Sequence, residues 1–531
     1  MTDVEPDGAA INYPDWTEYS KKNGLDPLGM QNSGINLYQT FLPGISNVTL
    51  RMRYYGLYAW LCQIYAQTIG DTDPETWKRY IRRTEALYAL IAFHHGGETG
   101  VAGIEWAKSA LENLEGDAID FAVAAEPGSE THYLKQAWGA YGAAYGSQLF
   151  EIGILARSQD HEIPLPSADT GERLAALFND TLGALSEQFF EIIERGTVST
   201  NELDQFAFLS PSEISLPSGE RDLYQELLLR EADPNNLPAI SRRLTILLIL
   251  KVTALLGRDP KPDEVRWILY AGCNQQGQPL ELGSPELEAQ RQRWWVYHAN
   301  DLCHIALETL LKFTLDTLGL YPAGIALERL IPLCVGEILE AADQAATHWP
   351  DLLEGVQLSN NAYAADDPNS EWSLSRDIIR GAGRRDDQQC TPEIAWQAVK
   401  LLATLHKRIR DEDHDIEAEL GRFNPDGFRS LLSETQFLDA QSEESLSEVI
   451  GRILEERVVR RHLWIALKKF RHQKDYTFLI EMDEGKLRLR EKDGPMFTNP
   501  RLGPAIRFLT DIHLVSAQGL TIEGAQALEA Q

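Results

Sequence analysis

The chain has 531 residues, 43% of them hydrophobic and 24% charged, with a formal net charge of −31. That length exceeds one core and that composition excludes bulk disorder, while the charge sets a repulsive background for nucleic acid. The five cysteines are scattered without a C-x-x-C pair, which excludes a zinc ribbon or disulfide scaffold and fits a reducing cytoplasm. No apolar run is long enough to span a bilayer, and no secretory signal is visible at the start, so no membrane is expected as a partner.

In chain order, residues 1–43 carry Pro6, Pro14, Pro27 and Pro43 and read as an extended arm. A helical domain is expected over 44–165. Ser46 or Asn47 is placed to cap a helix over 48–69, whose apolar positions run nearly all round it. Arg51 and Arg53 enter that helix beside a tyrosine cluster. Arginine cannot shed its charge, so these two are expected to pair with acidic residues. Asp73 and Pro74 open the next helix, and His94-His95-Gly96-Gly97 closes it as a C-cap. Residues 131–158 read as a third helix with Gly139, Gly142 and Gly146 on one face. Those glycines suit a close helix crossing or, as an alternative, a small-ligand groove.

A second helical domain is expected over 166–350. It holds helices near 170–195, at 241–256, at 263–271 and from Pro285 to Leu318. On the last of these, Asp301, His304 and Glu308 share one face, with His298 one turn earlier. Asp-x-x-His on an inward face is half of a carboxylate-bridged di-metal pattern, and Asp411 with His414 repeats it. Both use Asp where such sites use Glu, so the simpler reading is a histidine held by its own helix neighbours. Arg408 and His414 also satisfy a ribonuclease-like spacing. Residues 351–440 read as a polar loop and helical linker.

The pattern changes in 441–531. From Arg452 to Arg501 there are 13 Lys and Arg against 8 Asp and Glu, so +5, leaving the remainder at −36. A basic helix over 453–470 is followed by two alternating strands around Asp483-Glu484-Gly485, the clearest hairpin in the chain. Together with Leu520-Thr521-Ile522-Glu523-Gly524, these elements resemble the wing end of bacterial winged-helix domains. The resemblance covers about 35 residues and implies DNA or protein binding, in genome maintenance or phage defence. The fold class expected is therefore mainly α: a multi-helix N-terminal and central body with a small C-terminal α+β winged-helix-like unit.

No Walker loop, nucleophile elbow or H-E-x-x-H is present, so no cofactor is expected. The function expected is a non-catalytic helical subunit of a cytoplasmic, bacterial multiprotein assembly. Its acidic body would meet other protein subunits. Its C-terminal unit would touch DNA, RNA or an acidic partner through Arg457, Arg460, Arg461, Lys468, Lys469, Arg471, Lys474, Arg488 and Arg490. The alternative is an enzyme, a helical-bundle metalloprotein using Asp301 and His304 or a ribonuclease using Arg408 and His414.

Overall fold

The computed structural model describes residues 26–230, 233–342, 346–383, 388–412, 414–422, 429–441 and 443–530. The fold is organised around the helix Pro285–Leu318, whose residues from Trp294 to Leu318 are all buried. Ser284 caps it and Pro285 occupies its first turn, where a missing N–H costs nothing. A helix with no polar face must be covered on every side. Here the cover comes from Gln31–Gln39, Leu237–Leu256, Pro262–Ala271, Glu371–Ala382, Pro392–Asp411 and the turn Ile453–Val459. A second layer, Tyr54–Thr68 packed on Gly171–Leu182 with Pro74–His94 beside it, forms the N-terminal side. Buried residues from Leu28 to Ala527 join in one hydrophobic cluster.

Helices dominate, and the strands among the described residues form four two-stranded antiparallel ladders. None of these helices is long and apolar enough to cross a membrane.

Several sequence expectations need correction. Of the expected 1–43 arm, residues 1–25 lie outside the described residues. The rest is not simply extended. Asp26 Oδ1 accepts from the N–H groups of Met30 and Gln31, and a helix follows at Gln31–Gln39. Phe41 then packs on Trp294 and Tyr297 of the central helix.

The helix expected over 48–69 begins only at Tyr54. Ser46 and Thr49 close a turn on themselves, and the next backbone N–H groups are held by distant partners. Arg51 N–H donates to the Tyr145 hydroxyl and Met52 N–H to Asp511.

The helix expected over 131–158 is confined to a π turn at Tyr141–Tyr145 and one short helix, Gly146–Glu151. Gly139 sits at φ +60°, and a Cβ there would overlap Glu85 and the Tyr133 hydroxyl. The glycine serves the approach of backbone to a buried carboxylate rather than a helix crossing. The 170–195 helix divides into Gly171–Leu182 and Ser186–Arg195 around Gly183. Within 351–440, Glu371–Ala382 and Pro392–Asp411 cover the central helix, tied together by the buried Arg408–Glu371 pair.

At the C-terminal end the expected hairpin is present as Ile480–Asp483 paired with Lys486–Leu489. Glu484 and Gly485 both have positive φ, the conformation a tight two-residue hairpin turn requires. The elements behind the winged-helix resemblance are dispersed over the body. Leu487 exchanges backbone hydrogen bonds with Ile325. The helix Leu502–Asp511 packs on Pro262–Ala271, and Ile522–Glu529 packs on Leu237–Leu256.

Candidate functional sites: a C-terminal face and a buried histidine–carboxylate cluster

Arg51 and Arg53 are structural. Arg53 is buried and forked onto Glu220 at 3.1 and 3.0 Å, with Tyr224 and Thr181 also donating to that carboxylate. Arg51 grips Asp511 at 3.1 and 2.9 Å and Glu98 at 2.7 Å. His94 and His95 end their helix as expected, and they turn to Asp204 and to the Leu203 carbonyl.

The nine C-terminal cations separate into three groups. Arg457 and Arg461 are turned inward, spaced i, i+4 on one face of their helix. Arg457 faces Glu434 at 3.4 Å and lies over Phe437, while Arg461 donates to the Leu28 carbonyl. Half-buried Lys469 donates to the Asp26 carbonyl. Burial lowers the pKa of all three. Arg460, Arg488 and Arg490 reach the surface but pair with Glu455, Asp483 and Glu481. Lys468, Arg471 and Lys474 are exposed and have no ion pair among the described residues.

Between these last three stand large apolar side chains on the same helix. Trp464 is 42% exposed, Leu467 39% and Phe470 44%. The spacing 464, 467–468, 470–471 keeps them on one outward face of Arg460–Gln473. Lys468 lies over the Trp464 ring, Phe470 meets Tyr476 edge-on at 5.9 Å, and Arg490 covers Tyr476 at 4.1 Å. Met482, 64% exposed on the adjoining hairpin, adds to the apolar area.

The second cluster lies in the core. His304 Nε2 is 2.8 Å from Glu308 Oε1, one turn along the central helix, and Nδ1 is 3.4 Å from Asp301 Oδ1. Asp301 is itself anchored: it accepts from Thr498 N–H at 3.0 Å and lies 3.6 Å from Arg266. Asp26 reaches the cluster from the start of the described chain. Asp26, His304 and Glu308 each bring a ligand atom within 4.8 Å of the others. Burial alone would lower the His304 pKa, but the Glu308 and Asp301 carboxylates outweigh it and hold the imidazole well above its usual range. Burial raises Glu308, and the neighbouring Asp26 and Asp493 push the same way against His304. His298 has its pKa lowered by burial, packed edge-on against Trp267 and Tyr270.

Asp301 and His304 thus meet as the sequence suggested, but the second Asp-x-x-His does not join them. His414 stacks on Trp295 at 3.5 Å, nine residues and roughly 13 Å along the helix from His304. Arg408 is committed to Glu371, Glu412 and the Ser359 carbonyl. It meets His414 only through their common partner Glu412.

No family model, no curated protein and no solved structure matches this chain.

Proposed function

We propose that the protein is a non-catalytic helical subunit of a multiprotein assembly. It docks an acidic protein segment through the outward face of Arg460–Gln473 and the adjoining hairpin. The observation that carries this reading is the interleaving of exposed Trp464, Leu467 and Phe470 with the unpaired Lys468, Arg471 and Lys474. Aromatic side chains and arginine are enriched at recognition centres, where a few anchors dominate affinity.

Two magnitudes favour a protein partner over nucleic acid. Each neutralised phosphate contributes about one unit of salt slope, so three free cations support only weak polyanion binding. The net charge of −31 opposes a densely charged nucleic-acid backbone more than a protein segment that carries a few carboxylates among apolar anchors.

The test is site-specific photo-crosslinking from position 482, exposed on the adjoining hairpin, of the full chain in its own cell. The comparison is with Trp464→Ala/Phe470→Ala and with Lys468→Glu/Arg471→Glu/Lys474→Glu. A discrete partner with an acidic contact segment, retained by the wild type and lost from both variants, is expected. No discrete partner, or one that both variants retain, overturns the reading. Single-stranded DNA or RNA binding at about 50 mM salt, lost in the charge-reversed variant, replaces the acidic protein with nucleic acid.

A further inference from the structure

The geometry points to a divalent transition-metal site formed by Asp26, His304 and Glu308, which ties the beginning of the described chain to the central helix. Four observations converge on it. The three side chains come from two segments 278 positions apart, yet a ligand atom of each lies within 4.8 Å of the other two. All three are at least nine-tenths buried, at 7, 0 and 2% exposure.

Two of their oxygens have no hydrogen-bond partner. Asp26 Oδ1 is occupied by Met30 and Gln31 N–H, but Oδ2 has none. Glu308 Oε1 is orphaned too, although His304 Nε2 is only 2.8 Å away. Proximity without hydrogen-bond alignment is what two donors converging on a common third body show. Ligand atoms bound to one ion at about 2.0–2.2 Å stand close to each other without bonding to each other.

The shell behind the imidazole is also in place. The other ring nitrogen of His304 faces Asp301, which is held by Thr498 N–H and Arg266. A ligating histidine usually directs its second nitrogen to such a carboxylate, which fixes ring orientation and raises basicity.

One imidazole and two carboxylates make a mixed nitrogen–oxygen donor set. That set suits manganese(II), iron(II) or zinc(II) rather than copper(I), which favours sulfur, or magnesium, which keeps its water. The Lys469 ammonium donates to the Asp26 backbone carbonyl at 2.9 Å and also feels the Asp26 and Glu308 carboxylates, so a metal ion must compete with it for their charge.

The site is independent of the docking face and needs no activity to be measured. Full-length protein is stripped with chelator and equilibrated separately with Mn(II), Fe(II) or Zn(II). Bound metal is read by mass spectrometry and thermal unfolding is followed in parallel. His94→Ala/His95→Ala serves as the background, because His94, His95 and Asp204 form a second, surface group that can capture metal.

One equivalent is expected in that background, with a rise in Tm on loading. Glu308→Gln and Asp26→Asn preserve shape and should each weaken binding by at least about tenfold and abolish the rise. Asp301→Asn should weaken binding by roughly tenfold through the imidazole. Well under one equivalent for all three ions, or Glu308→Gln and Asp26→Asn both binding like the parent, overturns the proposal.

Discussion

Glu85 and Glu308 are both carboxylates sealed inside the protein on buried helices, and they are finished in opposite ways. Glu85 receives four donors: the hydroxyls of Tyr58 and Tyr133 at 2.9 and 2.8 Å, and the N–H groups of Ala140 and Tyr141 at 2.7 and 2.9 Å. Burial raises its pKa, and all four of those bonds pull it back down. Glu308 has an aligned donor on neither side of Oε1, and its neighbour Asp26 repeats the defect. An unsatisfied buried oxygen costs about 1–3 kcal/mol, more if charged. A chain that completes one carboxylate with four bonds and leaves another open has kept the second place for something else.

That contrast can be sharpened by mutation, beginning with the fully satisfied side. Arg53→Met leaves Glu220 charged, buried and unpaired. It should lower unfolding free energy by about 3–5 kcal/mol, read from denaturant titration. A loss under about 1 kcal/mol would mean the Glu220 site reorganises freely.

His462 tests the seam between Pro27 and the segment at Leu479. Its Nε2 accepts from Leu479 N–H, and Nδ1 faces the Pro27 carbonyl. Burial lowers its pKa from 6.5 to about 4. The unfolded chain therefore binds this proton first. The stability it confers is complete above pH 6.5 and drains away as pH falls toward 4, by about 3 kcal/mol in all. His462→Asn should flatten that part of the pH–stability curve. An unchanged slope would assign the acid sensitivity elsewhere.

Next come the two glutamates themselves. Glu85→Gln turns an amide on donors arranged for a carboxylate and should cost about 1–3 kcal/mol. Glu308→Gln in metal-free protein breaks no aligned hydrogen bond at Oε1 and removes only the ion pair with His304, which can then shed its proton, so its loss should be smaller than that of Glu85→Gln. Equal losses at the two positions would erase the distinction drawn above. The smallest effect belongs to the surface: Trp464→Ser should shift stability by no more than about 0.5 kcal/mol. A larger loss would make that face part of the core rather than a place for partners.

Much of this was legible where the signal is local. The central helix is found at the residues its cap and proline mark, Pro285–Leu318. Asp73 caps its helix through Thr76 N–H, and the Asp-Glu-Gly turn sets the hairpin. Buried Arg51 and Arg53 took carboxylates, as their fixed charge demands. What failed was non-local. Glycines at 139, 142 and 146 imitate a helix face, whereas Gly139 answers to Glu85, more than fifty positions earlier. Asp26 carries no sign in its own neighbourhood that it will meet Glu308. A count of positive charge located the basic tail correctly, but it could not tell that Arg457 and Arg461 point inward while Lys468 and Arg471 point out. Facing depends on what lies across the interface, here Leu28 and Glu434.

The Arg51–Asp511 clasp spans 460 positions. On a ribosome adding roughly 5–20 residues each second, Arg51 emerges tens of seconds before Asp511 exists. Throughout that interval the aromatic layer it belongs to lacks its final cover. The clasp therefore closes only after residue 511 has been made, and a chain cut short of it would leave Arg51 to Glu98 alone.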